Sequence, residues 1–174
     1  GLRNKVRIET DGKLMSGRDV AIAAILGAEE FGFATAPLVT MGCVMMRVCN
    51  LDTCPVGVAT QNPELRKRFK GKPEYVENFM KFIAQDLREY MAKLGVHSVD
   101  ELVGRTDLLK KGSGFYKEKA SRVDLSAILD NPYLGEKCIF DPEHVYDFHL
   151  EKTADERILM KKLKPALDKK QKRS

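Results

Sequence analysis

The sequence has 174 residues, 43% hydrophobic and 32% charged, a composition typical of one soluble globular domain. No apolar run reaches the ~20 residues of a membrane-spanning helix, and no signal peptide is visible, so we expect a cytoplasmic protein without a membrane partner. The net charge is +5, but the tail Lys161–Ser174 alone holds seven basic residues and one acid, Asp168. Because the excess positive charge is confined to this tail, the pattern does not favour nucleic-acid binding.

The N-terminal segment has the pattern of a strand, a turn, a helix and a second strand. Lys5–Thr10 alternates apolar and polar residues, which predicts a strand, and turn signals follow at residues 11–12 and 16–17. The apolar stretch 18–27 predicts a helix that ends at its last glycine, and 29–35 predicts the second strand. A βαβ unit of this kind implies a parallel sheet that is buried on both faces.

Helices are predicted through the middle of the chain. A short helix is predicted at 36–42, and the pair Asn62-Pro63 is a typical start for a second short, charged helix. Pro73 opens a longer amphipathic helix that Gly95 ends. Ser98–Glu101 fits a capping box before another apolar segment.

From residue 110 onward the pattern weakens, and we expect a connector rather than a compact domain. Residues 110–114 predict a linker, and 124–129 and 142–148 each predict one or two helical turns. Thr153–Glu156 predicts the cap of a final helix that runs to Lys164, where Pro165 interrupts it. The predicted segments are 1–42 with the βαβ unit, 43–60 with a cysteine loop, 61–109 with helices, and 110–174 with the connector and the basic tail.

The turn after the first strand is the first candidate binding site. At the carboxyl end of a parallel strand, a glycine-bearing turn directs backbone N–H groups toward a bound anion, usually a phosphate. Gly12 and Gly17 give the backbone that freedom, and Asp11 can orient the loop. A turn that merely joins a strand to a helix explains these residues as well. The second strand end also has a glycine, Gly32, and two such neighbouring ends resemble the phosphate site of a (β/α)8 barrel.

The second candidate site is the stretch GCVMMRVCNLDTCPVG. Cys43, Cys49 and Cys54 follow the spacing C-x5-C-x4-C, whereas zinc sites typically combine closer pairs into four ligands. Ligation by thiolates alone, with a proline after the last cysteine, is typical of iron–sulfur clusters. Three ligands favour a three-iron cluster, or a four-iron cluster with a fourth ligand from elsewhere. Zinc and structural thiols are the alternatives, and Cys138 is expected to be a half-buried free thiol.

The two candidate sites must lie close together. Nine residues separate Phe33 from Cys43, which span at most roughly 30 Å when extended. A phosphate-bearing cofactor beside an iron–sulfur cluster suggests electron transfer between the two.

The stretch 11–69 resembles the end of the FMN-binding barrel in the glutamate synthase family. The similarity is strong from Leu2 to about Leu109, and the cysteines in their TCPVGVATQ context form a highly specific motif. The resemblance implies an α/β fold: the last βαβ portion of a (β/α)8 FMN-binding barrel, then the cysteine loop and a mainly helical extension. It is incomplete as a barrel, because two strands of eight cannot close one. The later residues are similar to the connector before the family's C-terminal β-helix.

The resemblance also implies cofactor contacts. It implies three ligands of a [3Fe-4S] cluster: Cys43, Cys49 and Cys54. It implies FMN contacts in two phosphate loops: Asp11, Gly12, Gly17, Gly32, Ala34 and Thr35. Related flavin barrels often have glycine at Lys13 and at Ala34, and the larger residues keep the backbone donors but restrict the backbone angles.

The family reaction converts glutamine and 2-oxoglutarate into two glutamates. The resemblance implies that the cluster passes electrons to FMN for the reduction of 2-iminoglutarate to L-glutamate. The electron donor would be a small FAD-containing subunit that oxidises NADPH, or ferredoxin. The glutaminase cysteine, six barrel strands and the 2-oxoglutarate-binding groups are absent from this sequence. We therefore expect a fragment or split-gene product that needs the rest of the large chain, has no catalytic residue of its own and is inactive alone. The alternative is a non-catalytic helical interaction module with structural zinc or free thiols.

Overall fold

A computed structural model describes residues 1–112, 118–136 and 138–169. The chain forms two compact units, one of Gly1 with Arg7–Ile139, the other of Leu2–Val6 with the chain from Phe140 onward. The strands of the first unit are β1 (Glu9–Thr10) and β2 (Glu30–Phe31). Its helices are α1 (Gly17–Ile25), α2 (Thr35–Thr40), α3 (Pro63–Arg66), α4 (Pro73–Leu94), α5 (Glu118–Ser121) and α6 (Ser126–Leu129). No helix within the described ranges is long and apolar enough to span a membrane.

The N-terminal βαβ order is confirmed, and the two strands pair in parallel, but the prediction that the sheet is buried on both faces is wrong, since neither strand has a buried residue. Glu9 lies opposite Glu30, and Thr10 lies opposite Phe31. Both strands are shorter than predicted: Lys5 lies in a 3-10 turn at Arg3–Lys5 rather than in β1, and Thr35 begins α2 rather than ending β2. Within the described residues the sheet consists of these two strands, so this chain does not form a closed barrel.

Helix α1 begins and ends through local capping. The Ser16 side chain accepts the Asp19 N–H, while the Asp19 carboxylate accepts the Ser16 N–H, which together form a capping box. The helix ends at Ile25, and Gly27 then takes a φ of +116°, as its predicted role at the helix end requires. The buried face of α1 is made of small and branched apolar residues: Val20, Ala21, Ala24 and Ile25.

Helix α4 provides the main packing surface for α1 and also contacts α2. It begins at Pro73, as predicted, and ends at Leu94 before Gly95, whose φ is +73°. The core of the unit lies where α1, α4 and the following turn meet, and contains Ala24, Ile25, Met91 and Leu102. Leu102 is completely buried, which contributes about 2–3 kcal/mol of hydrophobic stabilisation.

The segment after α4 turns back onto α1. The predicted Ser98 capping contact is present, since Ser98 Oγ accepts the Glu101 N–H at 3.3 Å. Turns follow it up to a 3-10 turn at Thr106–Leu108, rather than a helix. The Gly104 N–H donates to the Ala24 carbonyl at the end of α1. This tertiary hydrogen bond holds the segment as a turn. Further along the chain, α6 confirms the helical turn predicted at 124–129.

The second unit contains short helical pieces and one longer helix. Its 3-10 turns are Arg3–Lys5, Pro142–His144 and Leu150–Lys152. The π-helical stretch Asp155–Met160 continues into α7 (Lys161–Asp168). The final helix was therefore predicted correctly, but the prediction that Pro165 interrupts it is wrong. Proline removes one N–H donor, yet its fixed φ is compatible with a helix, and α7 continues past it. The linker residues 113–114 and the tail 170–174 lie outside the described residues.

Candidate functional site

The three cysteines of the loop line one small cavity. Its volume is about 80 Å³, and Cys43, Cys49 and Cys54 share its wall with Thr35 and Leu38 of α2. The remaining wall is mostly apolar: Val44, Met45, Met46, Arg47, Val48, Pro55 and Val56. Three thiols that lie up to eleven residues apart in sequence are thus gathered in one place.

The backbone of the cysteine loop has several left-handed residues. Gly42 and Gly57 have φ values of +100° and +76°, and Met45, Arg47 and Asp52 have φ between +55° and +61°. A positive φ is uncommon outside glycine and costs roughly 1–2 kcal/mol per residue. Such backbone persists where surrounding contacts fix it, and it is found most often at functional sites.

The three thiols have different surroundings. Cys54 is only 6% exposed, and the N–H groups of the following turn lie near its sulfur. The Ala59 N–H, with smaller contributions from residues 56–58, lowers the pKa of Cys54 against the opposing effect of burial. Cys43 Sγ accepts the Met45 N–H at 3.4 Å, and Cys49 is exposed at the start of a 3-10 turn. The environment of Cys54 favours the thiolate, which is the form that binds metal.

The three thiols do not form the compact group that a single metal ion requires. Zinc–sulfur bonds of 2.3 Å in a tetrahedral site bring sulfur atoms to about 3.8 Å from each other. The three sulfur atoms, all in described residues, do not form a group with every ligand atom within 4.8 Å. None of the chain's three histidines, which are also described, lines the cavity. The geometry therefore does not favour a single zinc ion bound by all three thiols.

The second unit contains another group of side chains of the kinds that can bind metal, and the sequence analysis did not predict it. His149 Nδ1 lies 3.2 Å from Asp147 Oδ2 and 3.1 Å from Glu151 Oε1. The alternating pattern D-x-H-x-E was the signal that could have revealed it. All three side chains are more than half exposed, and hydrogen bonds of His149 to the two carboxylates account for their proximity without a metal.

The two strand ends meet, as the phosphate-site prediction requires. The Gly32 N–H donates to the Thr10 carbonyl at 2.8 Å, and a Cβ at Gly32 would lie 2.8 Å from the Asp11 Cβ. Gly32 is therefore needed for this close approach. Gly12 and Lys13 follow with φ of +114° and +69°, so the turn has left-handed backbone at two consecutive residues. Asp11, Gly12 and Gly32 lie together at one edge of the sheet.

The second strand end leads directly to the cysteine cavity. Ala34 precedes α2 and is exposed, whereas Thr35 begins α2 and lines the cavity with the three cysteines. The six residues of α2 therefore connect the two candidate sites.

Gly17 has a packing role that the sequence did not reveal. Its N–H donates to Asp86 Oδ2 at 2.8 Å, and a Cβ at this position would lie 2.2 Å from the Leu87 backbone nitrogen. The Met15 and Ser16 N–H groups both donate to the Asp19 carboxylate at 3.0 Å. The Met15 N–H is the main cause of the lowered pKa of Asp19, followed by Ser16 and Arg18, while burial opposes it. Three consecutive N–H groups, those of residues 15–17, thus donate to carboxylates. The contact between Gly17 and a phosphate stays a prediction.

Comparison with known proteins identifies the family. Residues 1–97 match the family model described as "Conserved region in glutamate synthase", which is more than half of the chain. The chain belongs to the glutamate synthase family. This confirms the resemblance seen in the sequence around the cysteine motif.

Relatives within the glutamate synthase family share high identity with this chain. It is 64% identical to the glutamate synthase [NADPH] large chain of Bacillus subtilis over 155 residues, 88% of this chain and 10% of that protein. It is 56% identical to the glutamate synthase [NADH] of Schizosaccharomyces pombe over 128 residues, 74% of this chain and 6% of that protein. It is 47% identical to the ferredoxin-dependent glutamate synthase 2 of Synechocystis over 131 residues, 75% of this chain and 8% of that protein. The chain therefore spans a tenth or less of the length of these relatives.

Proposed function

We propose that this chain provides three thiolate ligands of a [3Fe-4S] cluster and part of an FMN phosphate site within a glutamate synthase large chain. The observation that carries the proposal is the shared cavity of Cys43, Cys49 and Cys54, with Thr35 of the second phosphate loop in its wall. In this proposal residues 1–42 are the last βαβ part of the barrel and 43–60 the cluster loop. Residues 61–109 are helical support, and 110–174 are the connector with its basic tail.

The residues of the loop fit an iron–sulfur cluster. Cys54 sits in a turn whose N–H groups favour its thiolate, and Cys43 also receives an N–H hydrogen bond. Hydrogen bonds to the ligating sulfurs are one of the ways in which a protein tunes a cluster's potential. When bound, the cluster would supply one-electron transfer.

The strand ends fit one part of a phosphate site. Asp11, Gly12, Gly32, Ala34 and Thr35 would border the FMN phosphate, with Gly32 allowing the two loops to approach and the left-handed turn at Gly12 presenting backbone N–H groups. FMN would supply the hydride transfer of glutamate formation. The rest of the site would come from the remainder of the large chain, since this chain has two of the barrel's strands.

The partners follow from this division of the site. The chain would work with the rest of the large chain, on glutamine and 2-oxoglutarate as substrates of the whole enzyme. The electron donor would be an FAD-containing NADPH-oxidising subunit or ferredoxin. Alone, the chain would form no glutamate, and an assay of the purified chain for glutamate formation tests this directly.

Elemental analysis tests the cluster assignment. The chain is purified and reconstituted without oxygen in the presence of iron, sulfide and zinc, with zinc and iron at equal concentrations. The bound iron, acid-labile sulfide and zinc are then measured. The proposal expects about three irons and four sulfides per chain, the composition of the cluster. Stoichiometric zinc without sulfide would instead support a structural thiol site and contradict the proposal.

A further inference from the structure

A side-chain contact ties the middle of the cysteine loop to the residues before α3. Asp52 Oδ1 accepts the Thr60 hydroxyl at 2.7 Å and the Gln61 N–H at 2.6 Å. The Thr60 hydroxyl also lies 3.0 Å from the Asp52 main-chain oxygen, so its single proton is shared between two acceptors of one residue. We call these contacts between Asp52 and Thr60–Gln61 the latch.

One end of the latch, Asp52, lies between two of the proposed ligands. Asp52 is three residues after Cys49 and two before Cys54, and its φ of +55° makes the chain reverse there. Thr60 Oγ1 accepts the Asn62 N–H at 3.0 Å, and Asn62 caps α3 through the N–H groups of its first turn. The latch thus connects the turn between the two cysteines to a capped helix start.

The chain beyond the latch supports the same loop at two further points. A Cβ at Gly57 would lie 2.4 Å from the Leu65 carbonyl oxygen, so the end of the loop packs directly on α3. A Cβ at Gly71 would lie 3.0 Å from the Met41 carbonyl oxygen, next to the start of the loop. Residues 60–71 therefore contact the chain just before the first cysteine, the turn at Asp52 and the end of the loop at Gly57.

We propose that Asp52 is a positioning residue that, through Thr60, holds Cys49 and Cys54 in place before any metal binds. The left-handed backbone at Met45, Arg47 and Asp52 is unfavourable by itself, so the loop needs contacts outside itself to keep this shape. The latch is such a contact, since it fixes the left-handed residue Asp52 between the two ligands. The functional importance of this role rests on the proposed cluster, but the role itself is measurable in the metal-free chain.

Two matched pairs of variants test the latch. Thr60→Val removes the hydroxyl and keeps the shape, whereas Thr60→Ser keeps the hydroxyl. Asp52→Gly removes the carboxylate and tolerates the positive φ, whereas Asp52→Asn keeps an oxygen that accepts both hydrogen bonds and also tolerates the positive φ. The conservative member of each pair should behave as the wild type.

The first readout is the alkylation rate of Cys54 in the metal-free chain at one fixed pH, followed by peptide mass spectrometry. Cys54 is buried, so its rate reports opening of the loop. We expect Thr60→Val and Asp52→Gly to raise the rate about tenfold, the effect of losing one or two hydrogen bonds, and Thr60→Ser and Asp52→Asn to leave it unchanged. The rate at Cys138, a half-buried free thiol elsewhere in the same unit, is the internal control and should not change.

The second readout is iron bound after anaerobic reconstitution, which should fall by more than half in Thr60→Val and Asp52→Gly only. Wild-type Cys54 rates in both of these variants would overturn the latch, as would equal increases in both members of each pair. If Thr60→Val also raises the alkylation rate of Cys138, this variant has destabilised the whole unit. The comparison of Asp52→Gly with Asp52→Asn then decides whether the latch holds Cys54. A wild-type chain that binds no iron, with Cys54 rates in the expected order, would contradict the proposed function while supporting the latch.

Discussion

Replacement of Gly17 by alanine should separate α1 from α4. The added Cβ would lie 2.2 Å from the Leu87 backbone nitrogen and 2.8 Å from the Asp86 Cβ, so the helices must move apart by about 1 Å or more to restore an ordinary contact. Overpacking of this kind costs about 1–3 kcal/mol. The shift would also weaken the charged hydrogen bond from the Gly17 N–H to Asp86, which contributes about 1.5–3 kcal/mol. The better helix propensity of alanine recovers at most about 1 kcal/mol.

We therefore expect Gly17→Ala to lower the free energy of unfolding by about 2–4 kcal/mol. Urea unfolding followed by circular dichroism at 222 nm measures this. The matched control is Gly95→Ala, where the new Cβ meets no atom within 4 Å and only the positive φ opposes it, a cost of about 1–2 kcal/mol. If Gly17→Ala is no more destabilising than Gly95→Ala, the close approach of α1 and α4 at Gly17 is wrong.

Three further predictions test the core, the capping box and the cluster ligands. Leu102→Ala should lower the free energy of unfolding, measured by urea titration, by about 2–5 kcal/mol because Leu102 is completely buried. Phe82→Ala is the control: this side chain is 70% exposed, so its loss should change the free energy of unfolding by less than about 0.5 kcal/mol. The pKa of Asp19 lies below its ordinary value, so its stabilising contribution is present above about pH 4 and is lost as the pH falls through the lowered pKa. Stability measured from pH 6 to pH 2.5 should therefore fall less steeply in Asp19→Asn, and an unchanged slope would contradict this. Cys49→Ser should lose most of the bound iron while Cys138→Ser retains it, and equal iron in both would refute the ligand assignment.

Local capping chemistry made much of the fold predictable from the sequence. The start of α3 was predicted from Asn62-Pro63, and the Asn62 side chain does cap it, at 2.9 Å from the Glu64 nitrogen. The bounds of α4 were predicted from Pro73 and Gly95 in the same way. These signals are reliable because each depends on residues within one turn of the helix end.

Contacts between distant residues set the features that the sequence did not reveal. Gly17 was predicted as a phosphate contact from its place in a turn, but its packing role depends on Asp86, 69 residues away. The latch from Asp52 to Thr60 links two turns that have no shared pattern in the sequence. The cysteine motif was recognisable from its spacing and context. That its three thiols line one cavity could be seen only in the structure.

The central proposal is that Cys43, Cys49 and Cys54 hold a three-iron cluster. The most direct test is the EPR spectrum of the anaerobically reconstituted chain after mild oxidation, with the spins counted against the protein concentration. We expect the signal of an oxidised [3Fe-4S] cluster at close to one spin per chain, and its loss in Cys49→Ser. An EPR-silent wild-type chain that carries zinc in place of iron would contradict it.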